Sequence, residues 1–294
     1  MDDVIRGHAS RVRAADPLVA GQDELPESVG EKRFAVRDAV GLASVDRINP
    51  ASVRASWSPL VVHRLQARVA GPDPEAALGR LLDRWLHDLR VDGPGEALSV
   101  TWPSRDTVPV RALAVRGFAP VAAAAVRPLR WEGPVIYPWI RPATQGDAEA
   151  LVRMYVRLVA YDAQFGWVAV RPSTPARIRE SVAMEVLPLE WCWVAEVAGE
   201  VAGCVIVQPP ERSTWIGRSV RTAPTAYLGV MYVEPSARGQ GVGVALTEVA
   251  QAHAAAQGVA SMILHHALPN PLSTPFWARR GYRPLTTQWV RHLQ

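Results

Sequence analysis

The chain contains 294 residues, 49% of them hydrophobic and 20% charged, and its formal net charge is +4. These values are typical of a soluble globular protein, and the length suits two domains of ordinary size. No run of about 18 apolar residues occurs, so no transmembrane helix is predicted. The charged N-terminus also lacks the apolar segment of a secretory signal. We therefore expect a cytoplasmic protein with no membrane partner.

Arginine carries nearly all of the positive charge, since Lys32 is the only lysine. Together with the many alanines, valines and prolines, this bias indicates a GC-rich coding sequence and predicts a bacterial source. One segment, residues 212–221, interleaves arginines with a tryptophan, a pattern that could serve nucleic-acid binding. A solvated loop between two strands explains the segment better, and we expect no nucleic-acid partner.

A repeat between the two halves of the chain predicts the strands and helices of the first half. Its first clear strand is residues 33–36, and about thirty residues precede it. The predicted elements that follow are a strand at 64–69, a helix at 78–89 and a strand at 97–101.

A linker at residues 133–138 leads to the second half, where residues 139–143 predict a strand. Thr144 is a candidate cap for the helix that starts at Gln145. The tripeptide Ala198-Gly199-Glu200, between the next two strands, is typical of a hairpin turn. The further strands are predicted at 191–197, 201–208, 227–233 and 261–267.

The hairpin strands carry the two cysteines of the chain, Cys192 and Cys204, which could approach each other across the hairpin. In a cytoplasmic protein they are expected to be reduced core thiols. No Cys-x-x-Cys motif occurs, and no histidine spacing matches a zinc site. We expect neither a metal nor a cysteine nucleophile.

A glycine-rich run, Arg238-Gly239-Gln240-Gly241-Val242-Gly243, separates the strand at 227–233 from an amphipathic helix predicted at 244–257. Glycines let the backbone turn tightly and bring its N–H groups close to a ligand. The new helix directs its unsatisfied N–H groups and its positive dipole end to the same point. Arg238 adds a fixed positive charge. Strand, loop and helix together predict a pyrophosphate site.

Two other kinds of phosphate site fit this run less well. The nucleoside triphosphate loop, GxxxxGK(S/T), does not occur in the chain. The dinucleotide fingerprint has the spacing GxGxxG, whereas here an arginine leads in the order Arg-x-x-Gly-x-Gly.

The two halves of the chain repeat each other. Residues 116–121 echo residues 280–285, and the same offset aligns the predicted strands and helices without a gap. In the first copy, residues 74–79 stand opposite the glycine run, lack its arginine and two glycines, and place Glu75 where a pyrophosphate would lie. We expect this degenerate copy to bind no coenzyme and to complete an internal pseudo-dimer or shape the acceptor pocket.

The glycine run resembles the coenzyme A loop of the GNAT family of N-acyltransferases, whose signature is Gln/Arg-x-x-Gly-x-Gly/Ala. The element order of residues 139–294 is also similar to that family, and residues 276–285 resemble its closing pattern, F/L-Y-x-x-x-G-F-x-x. The resemblance implies an α/β (α+β) protein with two tandem GNAT-like domains, each a mixed, mostly antiparallel sheet flanked by helices. The implied domains are 1–132, without a coenzyme loop, and 139–294, the acyltransferase domain.

The same resemblance implies acetyl-CoA, or another acyl-CoA, as the co-substrate. Backbone groups of Met231, Tyr232 and Val233 would hold the pantetheine arm and polarise the thioester carbonyl. The remaining implied coenzyme contacts are the loop, the first turn of the helix and two later residues: Arg238, Gly239, Gln240, Gly241, Val242, Gly243, Val244, Asn270 and Trp277.

Acyl transfer to an amine also needs a group that takes the amine proton. Many family members place a glutamate five residues before an asparagine; here His265 has that spacing from Asn270, and a histidine suits proton removal. Strand alternation directs His266 to the opposite sheet face. A hydrogen-bonded structural role is the competing interpretation of His265. Glu234 is the alternative base, although its position is more typical of a solvent-exposed turn.

One position departs from the family pattern. Trp277 stands where many members have a tyrosine that protonates the departing thiolate, and an indole N–H cannot release a proton usefully. The proton would then come from water, from Tyr282 or Ser273, or from no protein group.

The acceptor is expected to bind between residues 159–186 and 209–226. Asp162 and Glu185 could attract an amine. Four tryptophans suggest an aromatic-lined pocket, and core packing explains them as well: Trp167, Trp191, Trp193 and Trp215.

The predicted function is therefore an acyl-CoA-dependent N-acyltransferase that acylates a small-molecule or peptide amine by direct attack in the second domain. The alternative is a catalytically silent acyl-CoA-binding or regulatory module. Both a monomer with an internal pseudo-dimer and a homodimer are compatible with the sequence.

Overall fold

A computed structural model describes residues 1–25, 30–91, 93 and 95–293. Within these residues the chain builds one continuous sheet of eleven strands. The strands are β1 (Lys32–Val36), β2 (Ala39–Arg47), β3 (Val61–Val69), β4 (Ala97–Pro103), β5 (Ala119–Pro128), β6 (Ile140–Pro142), β7 (Trp191–Val197), β8 (Glu200–Gln208), β9 (Thr225–Val233), β10 (Ser261–Ala267) and β11 (Arg283–His292).

Nine α-helices are seen in the described parts of the chain. They are α1 (Asp2–Ala15), α2 (Pro74–Asp88), α3 (Pro109–Ala114), α4 (Ala148–Asp162), α5 (Thr174–Ser181), α6 (Leu187–Leu189), α7 (Thr214–Gly217), α8 (Val242–Ala256) and α9 (Ser273–Arg279). Short 3₁₀ turns lie at Val53–Ser56, Gln145–Asp147, Ala163–Phe165 and Pro235–Ala237, and a π-helical turn, Val182–Val186, joins α5 to α6.

The strand order across the sheet is β1-β2-β3-β4-β11-β5-β10-β9-β8-β7-β6. Among the described strands, the neighbours are antiparallel except for two pairs, β3 with β4 and β9 with β10. Helix α2 connects the first parallel pair and α8 connects the second. A parallel pair needs such a crossover connection, so each half of the sheet contains the same strand–helix–strand unit.

The two units keep a constant distance along the sequence. Strands β3, β4 and β5 begin at Val61, Ala97 and Ala119, and strands β9, β10 and β11 begin 164 residues later in each case, at Thr225, Ser261 and Arg283. This repeated succession of elements supports the prediction of two tandem copies.

The last strand of each half lies beside the other half. β5, from the first half, pairs with β10 and β11, and β11, from the second half, inserts between β4 and β5. The halves are therefore joined by exchanged strands in the middle of the sheet. The predicted linker, 133–138, lies between β5 and β6, and Gln294, the last residue of the second predicted domain, lies outside the described residues.

The crossover helices cover one face of the sheet, and α4 and α5 cover the other face of its second half. Val205 and Val207 of β8 pack in the core formed with α8, whereas Cys204 and Ile206 of the same strand pack in the core formed with α4 and α5. This division follows from strand alternation, because successive side chains point to opposite faces. In the first half, α2 packs its apolar residues against β1–β4 in the same way.

Several local predictions are confirmed. The bounds predicted for β7 and β10 coincide with the observed strands. Thr144 takes part in a capping box with Asp147 at the turn that leads into α4. The helix after the glycine run starts two residues earlier than predicted, at Val242. No described helix is both long and apolar enough to cross a membrane.

Candidate active site

Strands β9 and β10 pair at their beginnings and then separate. Residues 225–228 of β9 pair with residues 261–264 of β10, whereas β9 continues to Val233 beside β8. The register with β8 shifts beside Gly229, which is the extra residue of a β-bulge. In the described structure no strand lies beside residues 229–233 on their β10 side. Met231, Tyr232 and Val233 thus offer a backbone edge to which an extended ligand arm can pair.

The predicted glycine loop lies between this edge and α8. Gly239 and Gly241 have φ angles of +77° and +82°, in the left-handed region that favours glycine. The first hydrogen bond within α8 runs from the Ala245 N–H to the Gly241 carbonyl at 3.0 Å. The N–H groups of residues 242–244 therefore have no partner within the helix, and they lie at its positive end. This geometry suits an anionic group such as a pyrophosphate.

Arg238 is held in place at the start of the loop. Its Nε donates a hydrogen bond to the Val233 carbonyl at 2.9 Å. Its guanidinium lies 5.5 Å from the centre of the Tyr232 ring and 5.9 Å from that of Tyr161. These contacts fix a positive charge beside the loop. Gln240 instead donates to the Ser236 carbonyl at 2.9 Å.

A cleft of about 1420 Å³ runs from the glycine loop across the separated strands to the first half of the chain. Of the predicted site residues, Glu234 and Gln240 do not border it. The cleft brings together the other twelve: Met231, Tyr232, Val233, Arg238, Gly239, Gly241, Val242, Gly243, Val244, His265, Asn270 and Trp277.

His265 lies on β10 at the floor of this cleft, with its ring open to it. Its Nδ1 lies 3.2 Å from the Tyr227 hydroxyl, and the Trp215 ring is nearly parallel to it at 6.1 Å. The protein atoms around the cleft floor, and to a lesser degree His266, lower the pKa of His265 to about 4. His265 is therefore neutral near pH 7, and a neutral imidazole has a lone pair that can accept a proton.

His266 engages a different element. Its Nδ1 lies 3.2 Å from the Thr274 hydroxyl of α9, and burial lowers its pKa. This contact agrees with the opposite sheet face that strand alternation predicts for His266, and the residue also borders the cleft. The cleft extends past the end of β10 towards α9, and both histidines reach it.

Glu234 differs from the solvent-exposed turn residue that the sequence suggests. Its side chain is only 15% exposed and forms an ion pair with Arg157 at 2.5 Å. Because Glu234 is paired and does not border the cleft, the geometry favours His265 as the base.

Asn270 shapes the start of α9. Its Oδ1 accepts hydrogen bonds from the Leu272 and Ser273 N–H groups at 2.9 and 3.1 Å, and its Nδ2 donates to Asp162 at 3.2 Å. Burial raises the pKa of Asp162 to about 6. Asp162 also borders the cleft, so its carboxylate can respond to a bound cation.

Trp277 and the two hydroxyl groups considered for thiolate protonation lie in different surroundings. Trp277 is 6% exposed and packs edge-on against Phe276 and Tyr282. The Tyr282 hydroxyl accepts a hydrogen bond from Gln251 at 3.2 Å, and Tyr282 does not border the cleft. Ser273 does border it, and its buried Oγ has no hydrogen-bond partner in the structure. Of the two residues that carry these hydroxyls, only Ser273 borders the cleft.

The acceptor residues suggested by the sequence divide into two groups. Trp167, Trp215 and Glu185 border the cleft. Trp191 and Trp193 instead contact His253 of α8, with ring centres 4.8 and 5.0 Å apart. Those two are core residues, as the alternative interpretation stated.

Sequence reasoning missed several residues that border the cleft. Tyr155 and Glu190 belong to the second half, whereas Trp57, Ser58 and Arg64 belong to the first. No motif marks Trp57 or Ser58, which follow the short turn at Val53–Ser56. Only the pairing of the two halves brings them to the site.

In the first half, the equivalent space between strands is filled by the chain itself. β3 and β4 pair over residues 62–65 and 97–100 and then separate. The Val69 N–H donates to His8 Nδ1 at 3.3 Å, and the Val69 carbonyl accepts from Arg11 at 2.7 Å. Helix α1 thus occupies the free edge, which supports the expectation that this half binds no coenzyme.

The glycine loop also has no counterpart in the first half. α2 begins at Pro74, and the Asp73 side chain caps it by accepting from the Ala76 N–H at 2.9 Å. Residues aligned with the loop are therefore already helical. Glu75 pairs with Arg111 at 3.2 Å.

The cysteines are free and buried. They are not opposite each other, because Cys192 faces Ile206 and Cys204 faces Val194. Burial raises the pKa of Cys204 to about 12, so it is protonated near pH 7 and is a poor nucleophile. Among the described residues no group of three or more His, Cys, Asp or Glu side chains could hold a metal ion.

The arginine-rich segment 212–221 forms α7 and its flanking turns. Arg212 pairs with Glu185 at 2.9 Å, and Arg221 pairs with Asp23 at 3.4 Å. These contacts give both arginines a role within the fold.

Comparison with known proteins was informative at the level of family and fold. Residues 162–282 match the family model described as Acetyltransferase (GNAT) family. No curated protein sequence matches the chain.

Three solved structures illustrate the likeness. A GCN5-related N-acetyltransferase from Sphaerobacter thermophilus is 16% identical, with a TM-score of 0.55 over 87% of this chain and 81% of that one. A GCN5-related N-acetyltransferase from Kribbella flavida is 13% identical, with a TM-score of 0.43 over 99% and 95%. The aminoglycoside N-acetyltransferase AAC(6')-Iy, in complex with CoA, is 17% identical, with a TM-score of 0.38 over 50% and 92%.

The first of these structures shows that both halves of the sheet belong to one known fold, since it covers most of the chain. The family match spans β9, the glycine loop and α8, the elements that build the cleft. Residues 162–282 therefore form a domain of the acetyltransferase (GNAT) family, the family that the glycine loop and closing pattern predict.

Proposed function

We propose that the protein transfers an acyl group, with acetyl-CoA as the donor, to an amine by direct attack in its second half. The observation that carries this proposal is the single cleft in which the glycine loop, the free edge of β9 and His265 meet. The loop would bind the pyrophosphate, and the β9 edge would hold the pantetheine arm. His265 lies on β10 at the floor of the same cleft, where the acceptor amine would approach.

The proposed reaction has one bond-forming and one bond-breaking stage. The amine nitrogen attacks the thioester carbonyl, whose oxygen accepts a hydrogen bond from a backbone N–H of residues 231–233. The carbon–sulfur bond then breaks, the thiolate leaves, and the amine proton passes to His265. The products are an amide and free coenzyme A.

Ser273 is the proposed hydrogen-bond donor to the departing sulfur. Ser273 borders the cleft at the start of α9, next to Asn270 and Trp277, and rotation of its side chain would turn the buried, unpartnered Oγ towards the sulfur. A thiolate is a good leaving group, so a hydrogen bond from a hydroxyl supports its departure without a strong acid.

The alternative, a silent acyl-CoA-binding or regulatory module, rests on Trp277 in place of the usual tyrosine. Turnover separates the two proposals. With a panel of amines and acetyl-CoA, an enzyme releases free thiol continuously, whereas a silent module binds acetyl-CoA and releases none. The cytoplasmic location, the bacterial source, the division into two domains and the choice between monomer and homodimer remain predictions.

The first test is calorimetric titration of the whole chain with acetyl-CoA. A stoichiometry of about one site per chain, with binding lost in Gly241→Glu, supports acetyl-CoA binding by the second half and none by the first half. Gly258→Glu is the matched control, because Gly258 has a similar φ of +78° and nothing within 4 Å of an added Cβ, but lies at the other end of α8. Two sites would contradict a silent first half. The absence of binding would remove acetyl-CoA as the donor.

A further inference from the structure

One end of the cleft has a wall of aromatic rings that comes from both halves of the chain. Trp57, from the first half, lies 5.9 Å from Tyr155 between ring centres. Trp215 lies 4.9 Å from Tyr227. All four residues border the cleft, and we name them the aromatic wall.

The aromatic wall leads to the proposed base. Trp215 lies nearly parallel to the His265 ring, at an interplanar angle of 10°. The Trp215 indole N–H donates to Gln208 at 3.2 Å, and the Gln208 amide donates to Glu190 at 3.2 Å. A molecule lying along this wall would have one end beside His265.

Two observations favour the aromatic wall as a ligand-binding surface. Trp215 is 58% exposed although it lies in a cleft, and large exposed aromatic surface in a concave site is typical of ligand binding. Ser58 is 5% exposed and borders the cleft, and its Oγ has no hydrogen-bond partner in the structure. A buried hydroxyl without a partner is costly, and rotation of the Ser58 side chain towards a molecule bound in the cleft would satisfy it.

The charges beside the wall favour a cation. The Glu190 side chain is 6% exposed, and its nearest positive group, Arg212 Nε, lies 3.7 Å away, beyond hydrogen-bond distance. Burial raises the pKa of Glu190. Arg54 and Arg64 also border the cleft, but both bind Asp46, at 3.3 and 2.7 Å. Glu190 is therefore the less fully paired charge.

We infer that the acceptor is an arylalkylamine, a primary amine on a flat aromatic body, and that the first half supplies part of its binding site through Trp57 and Ser58. The aromatic body would lie along the wall, where stacking and edge contacts stabilise it, and the amine would reach His265. The cationic form would be attracted by Glu190 and by the ring faces. This inference rests on the proposed function, because it names the acceptor of the same reaction.

The first experiment compares phenethylamine with ethanolamine, which has a similar amine and no aromatic body. With saturating acetyl-CoA, kcat/KM for phenethylamine is expected to exceed that for ethanolamine by about tenfold or more, the factor that about 1.4 kcal/mol of ring contact supplies. Phenylalanine has the same aromatic body and adds a carboxylate. It is expected to be a poorer acceptor than phenethylamine because Glu190 repels it. Equal or better use of ethanolamine would overturn the inference.

The second experiment uses variants. Trp57→Ala should raise KM for phenethylamine about tenfold and leave the Kd for acetyl-CoA unchanged, and Ser58→Ala should weaken phenethylamine binding without loss of folding. Trp131→Ala is the matched control, since Trp131 is 53% exposed and does not border the cleft. A preference for phenethylamine that persists unchanged in Trp57→Ala would exclude the first half from the acceptor site.

Phenethylamine binding is also measured by calorimetry without any acyl-CoA. Binding that is lost in Trp57→Ala supports the inference even if acetyl-CoA proves not to be the donor. Normal acetyl-CoA binding with no detectable phenethylamine binding overturns the inference and leaves the proposed function standing.

Discussion

At the scale of single residues, the site depends on how burial sets protonation. The protein atoms around the His265 ring, and to a lesser degree His266, disfavour the charged form and hold its pKa at about 4, although the ring is open to the cleft. His265 is thus unprotonated over the range in which most amines are still cationic. A weakly basic imidazole cannot strip a proton from a free ammonium ion, but it can take the proton that the amine loses during attack.

His265→Gln is expected to lower kcat by about a hundredfold or more, the usual contribution of a positioned general base. The Kd for acetyl-CoA should not change, because the glycine loop is untouched. His266→Gln is the matched control and should retain most of the activity. An unchanged kcat in His265→Gln would assign His265 a structural role.

The pH dependence provides a separate check on His265. Since its pKa lies near 4, the imidazole is neutral throughout the range from about pH 5 to pH 8. We expect log(kcat/KM) to rise with pH through the pKa of the acceptor amine, with no inflection near the ordinary histidine value of 6.5. Measurement with two amines of different pKa tests this, because the inflection should move with the amine. A fixed inflection near 6.5 would show that a group of the protein titrates instead.

Trp277→Phe is expected to retain turnover within about threefold, because an indole N–H does not serve as an acid. The substitution should instead lower the stability of the fold. Trp277 is 6% exposed between Phe276 and Tyr282, and a smaller ring leaves a cavity there. We expect a loss of about 1–3 kcal/mol in the free energy of unfolding, measured by urea denaturation. A drop in kcat of a hundredfold with normal stability would contradict this assignment.

At the scale of elements, helix α1 shows how one element closes a potential site. His8 Nδ1 accepts hydrogen bonds from Arg11 and from the Val69 N–H, and Nε2 therefore carries the proton that points to Gln22. Burial, then Arg68 and Arg11, lower the pKa of His8 to about 3. A proton on Nδ1 would break both hydrogen bonds, and the one from the Val69 N–H joins α1 to β3.

This arrangement predicts acid-sensitive stability. The unfolded chain binds a proton at His8 near pH 6.5, whereas the folded chain binds it only near pH 3. Stability from this group is therefore fully present above pH 6.5 and is lost as the pH falls towards 3, by up to about 5 kcal/mol. His8→Asn keeps an acceptor for the Val69 N–H and cannot titrate. Its urea-unfolding free energy should fall less steeply with acid than that of the wild type; parallel curves would contradict the assignment.

The sequence predicts those elements whose cause is local. A short run of mostly apolar residues, with turn residues on each side, is enough to predict β7 and β10. The run from Arg238 to Gly243 predicts the loop, because the conformation of each glycine is a local property. The Trp57–Tyr155 contact depends on two segments far apart in the chain, so no local pattern predicts it. β3 separates from β4 as β9 separates from β10, so the repeat between the halves accounts for this feature. The repeat does not account for the presence of His8 in the space between β3 and β4, because α1 precedes the aligned region.

At the scale of the whole molecule, strand exchange makes the two halves one folding unit. Three antiparallel ladders of seven residue pairs each join residues from before the linker to residues after it: β5 with β10, β5 with β11, and β4 with β11. Trp57 and Ser58 from the first half also border the cleft, at the end where the proposed acceptor would bind. The first half thus contributes to the sheet and to the lining of the cleft, although it has no glycine loop.

Cutting the linker is expected to leave the protein assembled. A protease site placed after Gly133, in the exposed stretch that contains Ile136 at 81% exposure, would yield fragments that still share the three ladders. They should elute together at full size under native conditions and separate in denaturant, with acetyl-CoA binding retained until then. Expressed alone, the second fragment would expose the unpaired edge of β10 and is expected to aggregate. A second fragment that is monomeric, folded and active by itself would instead show that β5 contributes little, and that the two halves are independent domains.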